Sequence, residues 1–385
     1  MPENLGGQDL ARLVQRVFTP GPDDDGLAIL VDLPDEKLAD NPDWRTRRFM
    51  AHEWARLLQS ESASLNLARI SLAWYRNCGS NNADLPAGCV VDPDLETPAD
   101  WGDIADRNTV DFADLFRSHS LILAPTELST TAPLKVAARQ YPFRAATMPG
   151  FLPSMIPALK IDYGEVNRRV SLLQARCNAA DSASLVFRLD DGTRYELNLD
   201  LRHRTAHASG GLFPKNGVAG NLPSGEAYIV PYEGEIAGDP SRSAGQLPVQ
   251  IDDEIVLYEI RDNRACQILS TGPISQLEAG RLIAEPAYAN LAELGLGVLG
   301  DFGLKPAGTI LLDEKLGLHI AFGRSDHFGG NVGPADFSSP ENVIHLDRVY
   351  IPETQPRITV ETVHFHGTDG ESLLMSEGRY VEVFD

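Results

Sequence analysis

Cysteine is scarce in this 385-residue chain, and the four present (Cys78, Cys89, Cys177 and Cys266) form no C-x-x-C pair. That spacing excludes a thiolate zinc site and points to reduced thiols. Long hydrophobic runs are missing too. No stretch approaches the roughly 18 apolar residues that a membrane-spanning helix needs. The N-terminus, MPENLGGQDLARL, has neither a basic leader nor an apolar segment behind it, so a cytoplasmic location is expected. Positive charge is in deficit, with 33 Lys and Arg against 55 Asp and Glu and a net charge of −22. Such a surface repels nucleic acid and anionic membranes, so no partner of either kind is expected. The same surplus of carboxylates suits hard cations, and salt-adapted solubility accounts for it equally well. No G-x-S-x-G appears, and no cysteine stands near a histidine in a way that marks a nucleophile.

The length favours two domains. In the first part, strand-like and helix-like segments alternate: GLAILVDL (26–33), DWRTRRFMAHEWARLLQS (43–60), LNLARISLAWY (66–76), TVDFADLFRS, LILAP (121–125), APLKVAARQY and FRAATMPGF. This order predicts a parallel sheet with flanking helices, an α/β domain over 1–157. Residues 77–110, rich in Gly, Asn, Pro and Asp, read as a long surface loop. After an amphipathic helix in YGEVNRRVSLLQARCNAA, the texture changes to short strands and turns, beginning with a hairpin around Asp190-Asp191-Gly192 and including TILLDEK. Residues 158–385 are therefore expected to form a mainly antiparallel, β-rich domain containing one helix, SQLEAGRLIAEPAYANLAELG. Gly295, Gly297 and Gly300 match G-x-G-x-x-G, but a helical pattern before them and GLKPAG after them contradict the strand–turn–helix context of a dinucleotide site.

The chemistry concentrates in residues 313–347, where three of the nine histidines stand among acids. His319 opens the strand-like run HIAFG. His345 and Asp347 sit two apart in VIHLDRVYI, so on a strand both project to one face. A His-x-Asp pair aimed at a second strand's histidine suits a metal or a catalytic centre; the alternative is two core histidines beside a loop of solvated acids. Two glutamates elsewhere join this set. Glu226 enters the strand AYIVP from the turn NLPSGE, and Glu293 closes the helical pattern in NLAELGLG. Either alone reads as a solvated acid. Together with His319, His345 and Asp347 they make three carboxylates and two imidazoles, a donor set suited to Zn, Mn, Co or Fe.

The motifs NLPSGEAYIVP, AELGLG, DEKLGLHIAFG and SPENVIHLD resemble the aminopeptidase T family of metallopeptidases, most closely over residues 211–349. The resemblance implies a homodimer whose C-terminal β-rich domain holds two divalent metal ions (Zn, Co or Mn). The ligands would be Glu226, Glu293, His319, His345 and Asp347. The family places a tyrosine shortly after the first of these histidines; here that place is taken by Asp326 and His327, which become candidate catalytic groups. The same family contains 2,5-dihydroxypyridine 5,6-dioxygenase, and His319, His345 and Asp347 alone would satisfy one Fe(II).

Three readings follow. The first is a metal-dependent hydrolase that cleaves an N-terminal peptide bond or a related amide in a small-molecule or short-peptide substrate. The second is a mononuclear Fe(II) dioxygenase that opens a dihydroxylated pyridine or aromatic ring. The third is a non-catalytic relative that keeps the fold for binding. His364 and His366 repeat the two-residue step of a strand and are read as an exposed face, with a place near the site as the alternative. His203 and His207 precede a Gly-rich loop that could border the pocket, and Lys215 and Arg324 are the cations nearest the motifs.

Overall fold

The computed structural model describes residues 4–92, 96–368 and 370–384. The chain divides into two compact units. One comprises residues 1–167, 210–224 and 307–312; the other comprises 168–209, 225–306 and 313–385. The sequence suggests a single crossing at 157/158. The chain instead returns twice to the first unit, and the helix Tyr163–Ala179 begins in one unit and ends in the other.

The first unit is built on a seven-stranded mixed sheet. Gly26–Leu33 lies at its centre with all eight residues buried. It pairs in parallel with Arg69–Arg76 on one side and Leu121–Ala124 on the other. Arg144–Thr147 and Ala219–Asn221 extend the parallel part. A strand buried on both faces needs the unbroken apolar run that GLAILV supplies. The expected surface loop over 77–110 contributes structure of its own: Gly88–Val91 and Val110–Asp111 add an antiparallel edge. Residues 93–95 of that stretch lie outside the described residues. The helix Pro42–Ser60 starts where Asn41 accepts a hydrogen bond from the Trp44 backbone N–H and where proline fills the first turn.

Asp32, near the end of the central strand, is a buried acid of this unit. Its carboxylate accepts hydrogen bonds from the backbone N–H groups of Glu127 (2.7 Å) and Leu128 (2.9 Å) and from Trp44 Nε1 (3.2 Å). Burial outweighs these donors and pushes its pKa up from 3.8 to about 6. The folded chain thus holds this proton more tightly than the unfolded one. The resulting stability is complete below the unfolded pKa and is lost as pH rises through about 6. Two pH units correspond to roughly 3 kcal/mol. In denaturant titrations between pH 4 and 7, Asp32→Asn should lack this share of the pH dependence. An identical slope in variant and wild type would refute the assignment.

The second unit carries two antiparallel sheets. The larger has eight strands, with Ala180–Leu189 paired to Arg194–Asp200 as the expected hairpin and Ile358–Gly367 on its other side. The smaller has five, in the order His345–Val349, Leu318–Gly323, Leu291–Gly297, Glu226–Ile229 and His207–Ser209. Two expectations are corrected here. The expected helix through SQLEAGRLIAEPAYANLAELG stops at Ala284, and Leu291–Gly297 is a wholly buried strand. TILLDEK is a short helical turn, Ile310–Asp313, followed by a 3-10 turn, Glu314–Leu316. A strand therefore does carry the first glycines of G-x-G-x-x-G, yet only the 3-10 turn Leu299–Phe302 follows them, which again fails the dinucleotide pattern.

Candidate metal centre

The five-stranded sheet sorts its residues by the two-residue period of a strand. Directly paired positions project to the same face, and the register sets Glu226 opposite Gly297, Gly295 opposite His319, Ala321 opposite both Glu293 and Asp347, and Gly323 opposite His345. One face therefore alternates candidate ligands with glycine and alanine. The other face carries Leu294, Leu296, Leu318, Ile320 and Phe322, all buried. Phe322 packs there against Tyr258 and Tyr288 with ring centroids 5.0 and 5.6 Å apart. The small residues are part of the site. An added Cβ on Gly295 would lie 1.8 Å from His319 Nε2, and one on Gly297 would lie 2.4 Å from the Lys315 carbonyl carbon. AELGLG reads as the end of a helix, but its glycines let an imidazole and a turn lie flat across the strand.

The five expected ligands come together. Glu226, Glu293 and His319 form one group whose ligand atoms lie within 4.8 Å of one another, and Glu293, His345 and Asp347 form a second. Glu293 belongs to both. Its Oε1 is 3.2 Å from His319 Nε2, and its Oε2 is 3.3 Å from His345 Nε2. Asp347 Oδ1 lies 3.4 Å from the same His345 nitrogen. Backbone carbonyls engage the far side of each ring, with Gly317 O 3.3 Å from His319 Nδ1 and Arg324 O 2.7 Å from His345 Nδ1. Those contacts place the proton on Nδ1 and turn both Nε2 atoms towards the carboxylates, the orientation a metal-binding histidine requires.

Electrostatics point the same way. Burial opposes charging of His319, but Glu293, Asp347 and Glu226 outweigh it and push its pKa up to about 10. His345 is likewise held up against burial by Asp347 and Glu293. Glu293, although buried, is held below the usual carboxylate range by the two imidazoles. Glu226 Oε2 is buried and has no hydrogen-bond partner among the described residues. An orphaned oxygen beside crowded carboxylates and oriented imidazoles fits a divalent cation.

The two candidate catalytic groups sit on the next loop. Asp326 is tied to Arg324, with Nε 2.6 Å from Oδ1, and belongs to neither group of candidate ligands. The His327 ring lies edge-on to His345, centroids 5.3 Å apart. Burial, with His345 and Arg324, lowers its pKa to about 4, so it is neutral at ordinary pH. Glu233 anchors this loop by accepting hydrogen bonds from Ser325 Oγ (2.5 Å) and the Asn331 N–H (2.6 Å). Of the other histidines, His207 stacks on Tyr228 at 5.3 Å, His203 contacts Asp239, His364 contacts Glu371 and His366 contacts Ser184.

Sequence reasoning passed over three residues that build the site. Lys315 is completely buried, 3.1 Å from Glu226 Oε1 and also bonded to Glu314. Tyr228 and Phe328 stand at 4.8 Å in an edge contact, with Phe328 also 5.4 Å from His345. The one available signal is the two-residue step from Glu226 to Tyr228; Lys315 follows Asp313 and Glu314 in DEKLGL and reads as an ordinary surface lysine.

Fold and centre together define a class: a protein with an α/β unit and a β-rich unit, the latter carrying a carboxylate–imidazole cluster able to hold divalent cations. No family model and no curated protein matches the sequence. Among solved structures, the chain is similar to the 2,5-dihydroxypyridine dioxygenase of Pseudomonas putida KT2440, at TM-score 0.60 and 15% identity over 99% of this chain and 100% of that one. It is also similar to wild-type AmpT, the aminopeptidase T of Thermus thermophilus, at TM-score 0.52 and 15% identity over 97% and 99%. At this identity the shared property is the fold, and it is the fold implied by the sequence motifs. No helix among the described residues is long and apolar enough to cross a membrane.

Proposed function

We propose that the chain is a two-metal hydrolase of the aminopeptidase T type, acting on an N-terminal peptide bond or a related amide. The observation that carries this reading is Glu293, whose two oxygens face different imidazoles in two overlapping groups of candidate ligands. A carboxylate so placed suits two cations better than one. Glu226, Glu293, Glu314 and Asp347 also crowd together around a single buried ammonium, Lys315. Burial with the neighbouring Glu226 and Asp347 pushes the Glu314 pKa up to about 8, a repulsion that bound cations would relieve. Two divalent cations, when bound, would polarise the scissile carbonyl and activate water.

The remaining steps belong to the chain's own residues. The acidic cluster attracts the free ammonium end of a substrate. His327, neutral and beside His345, accepts a proton and passes it to the departing amine. Asp326, held by Arg324, orients that imidazole from 3.5 Å. A second reading, the ring-opening dioxygenase, draws on the aromatic group of Tyr228, Phe328 and His207 near His345, which suits a flat ring.

Metal analysis of protein purified without added metal, combined with activity assays, separates the readings. Two Zn, Co or Mn per chain and hydrolysis of an aminoacyl p-nitroanilide are expected. One iron per chain with oxygen uptake on a dihydroxylated pyridine would replace this reading with the second. A metal-free protein whose stability ignores chelator would replace it with a binding role.

A further inference from the structure

Lys315 is fully buried, which for an ammonium demands close counter-charges. It has two, Glu314 and Glu226, with Nζ 3.1 Å from Glu226 Oε1. The other oxygen of Glu226 is buried, has no hydrogen-bond partner among the described residues, and lies 3.7 Å from His319 Nε2. Glu226 is thus divided, one oxygen occupied by a fixed cation and the other left facing the imidazole. The backbone enforces the division. Gly297 pairs with Glu226, and its missing side chain lets the turn Glu314–Leu316 lie against the strand, since a Cβ there would meet Lys315 carbonyl atoms at 2.4 and 2.5 Å.

We infer that Lys315 is a positioning residue that restricts Glu226 to binding a cation through Oε2 alone. This rests on the two-metal reading. A carboxylate free to chelate through both oxygens would take up a coordination position at the cation held by Glu226, Glu293 and His319. Catalytic sites keep such a position open for water or substrate. Lysine suits the task because it ties up one oxygen without itself competing for the cation. Its complete burial also keeps it from serving as a substrate contact.

The test uses the full chain loaded with Co(II), in wild type, in Lys315→Met and in the double variant Lys315→Met/Glu314→Gln. The double variant removes one charge of each sign, so the buried balance is kept if the single variant fails to fold. With the ammonium gone, Glu226 chelates with both oxygens and the coordination number of that cobalt rises. The expected result is a several-fold fall in the visible absorption of one of two cobalt ions, with its affinity changed by about 10- to 100-fold, the usual effect of removing a group that orients a ligand. The other ion keeps its wild-type affinity and spectrum. A folded double variant with two ions of wild-type affinity and unchanged absorption overturns the inference and leaves Lys315 as a counter-charge. If wild type takes only one cobalt, the two-metal reading fails instead, and the change or constancy of that ion's spectrum still decides the role of Lys315.

Discussion

Replacing Glu293 by glutamine is expected to remove both cations at once, whereas His345→Ala removes only one. Glu293 is the member shared by the two groups of candidate ligands. An amide keeps the shape but offers one oxygen and one NH2, and the NH2 would face either His319 or His345 as a donor where a ligand atom is needed. His345→Ala leaves Glu226, Glu293 and His319 intact. Metal content should fall from two to near zero in the first variant and to one in the second. Aminoacyl amide hydrolysis by Glu293→Gln should drop by about a thousand-fold or more, equivalent to about 4 kcal/mol of transition-state stabilisation. The metal-free form should suffer as well. Breaking a buried ion pair costs roughly 3–5 kcal/mol because a partner is left charged without compensation, and chemical denaturation of the chelated protein reads this directly. Retention of two cations by Glu293→Gln would show that the carboxylate does not lie between them.

How far the site could be read from sequence depended on which residues carry local signals. His345 and Asp347 were legible because a strand's two-residue period is written into VIHLD. Glu293 reads as helical because Leu291 and Leu294 are three apart, while Leu294 and Leu296, two apart, fit a strand equally well. Only pairing with Glu226–Ile229 and Leu318–Gly323 decides for the strand, and pairing is a property of distant segments. Lys315 escaped notice since lysine is by default a surface residue, and the carboxylates that justify its burial come partly from Glu226, 89 positions earlier. Asp326 shows a local signal of another kind: it stands where the family's tyrosine is expected, and only the structure shows that Arg324, two residues away, holds its carboxylate beside His327. In the first unit, the β-α-β pattern made the parallel sheet evident. The three-residue strand Ala219–Asn221 had no pattern to detect and is defined only by its neighbour Arg144–Thr147.

The second large effect is expected from the smallest addition, one methyl group in Gly295→Ala. His319 Nε2 lies where that methyl would go, at 1.8 Å, with two more ring carbons at 2.1 and 2.5 Å, so the ring has to move. It has little room. Its strand is paired on both edges, by Leu291–Gly297 and by His345–Val349, and its Nδ1 is held near Gly317 O at 3.3 Å. Rotation about the side-chain bonds swings Nε2 away from Glu293 and Glu226, so the group Glu226, Glu293 and His319 loses its imidazole. Affinity for one cation should fall at least about 100-fold, the upper range seen when a metal ligand is misoriented. Overpacking of this kind should also destabilise the protein by about 1–3 kcal/mol. Gly280 provides the control. It lies in the exposed interior of the helix Pro273–Ala284 with nothing within 4 Å of an added Cβ, so Gly280→Ala should stabilise by about 0.5–1 kcal/mol and leave metal binding untouched. Isothermal titration of the two alanine variants with Zn(II) distinguishes a local steric effect from a general one. If Gly295→Ala binds two cations as tightly as wild type, His319 is not a ligand in the orientation described, and the group built around Glu226 must be reassigned.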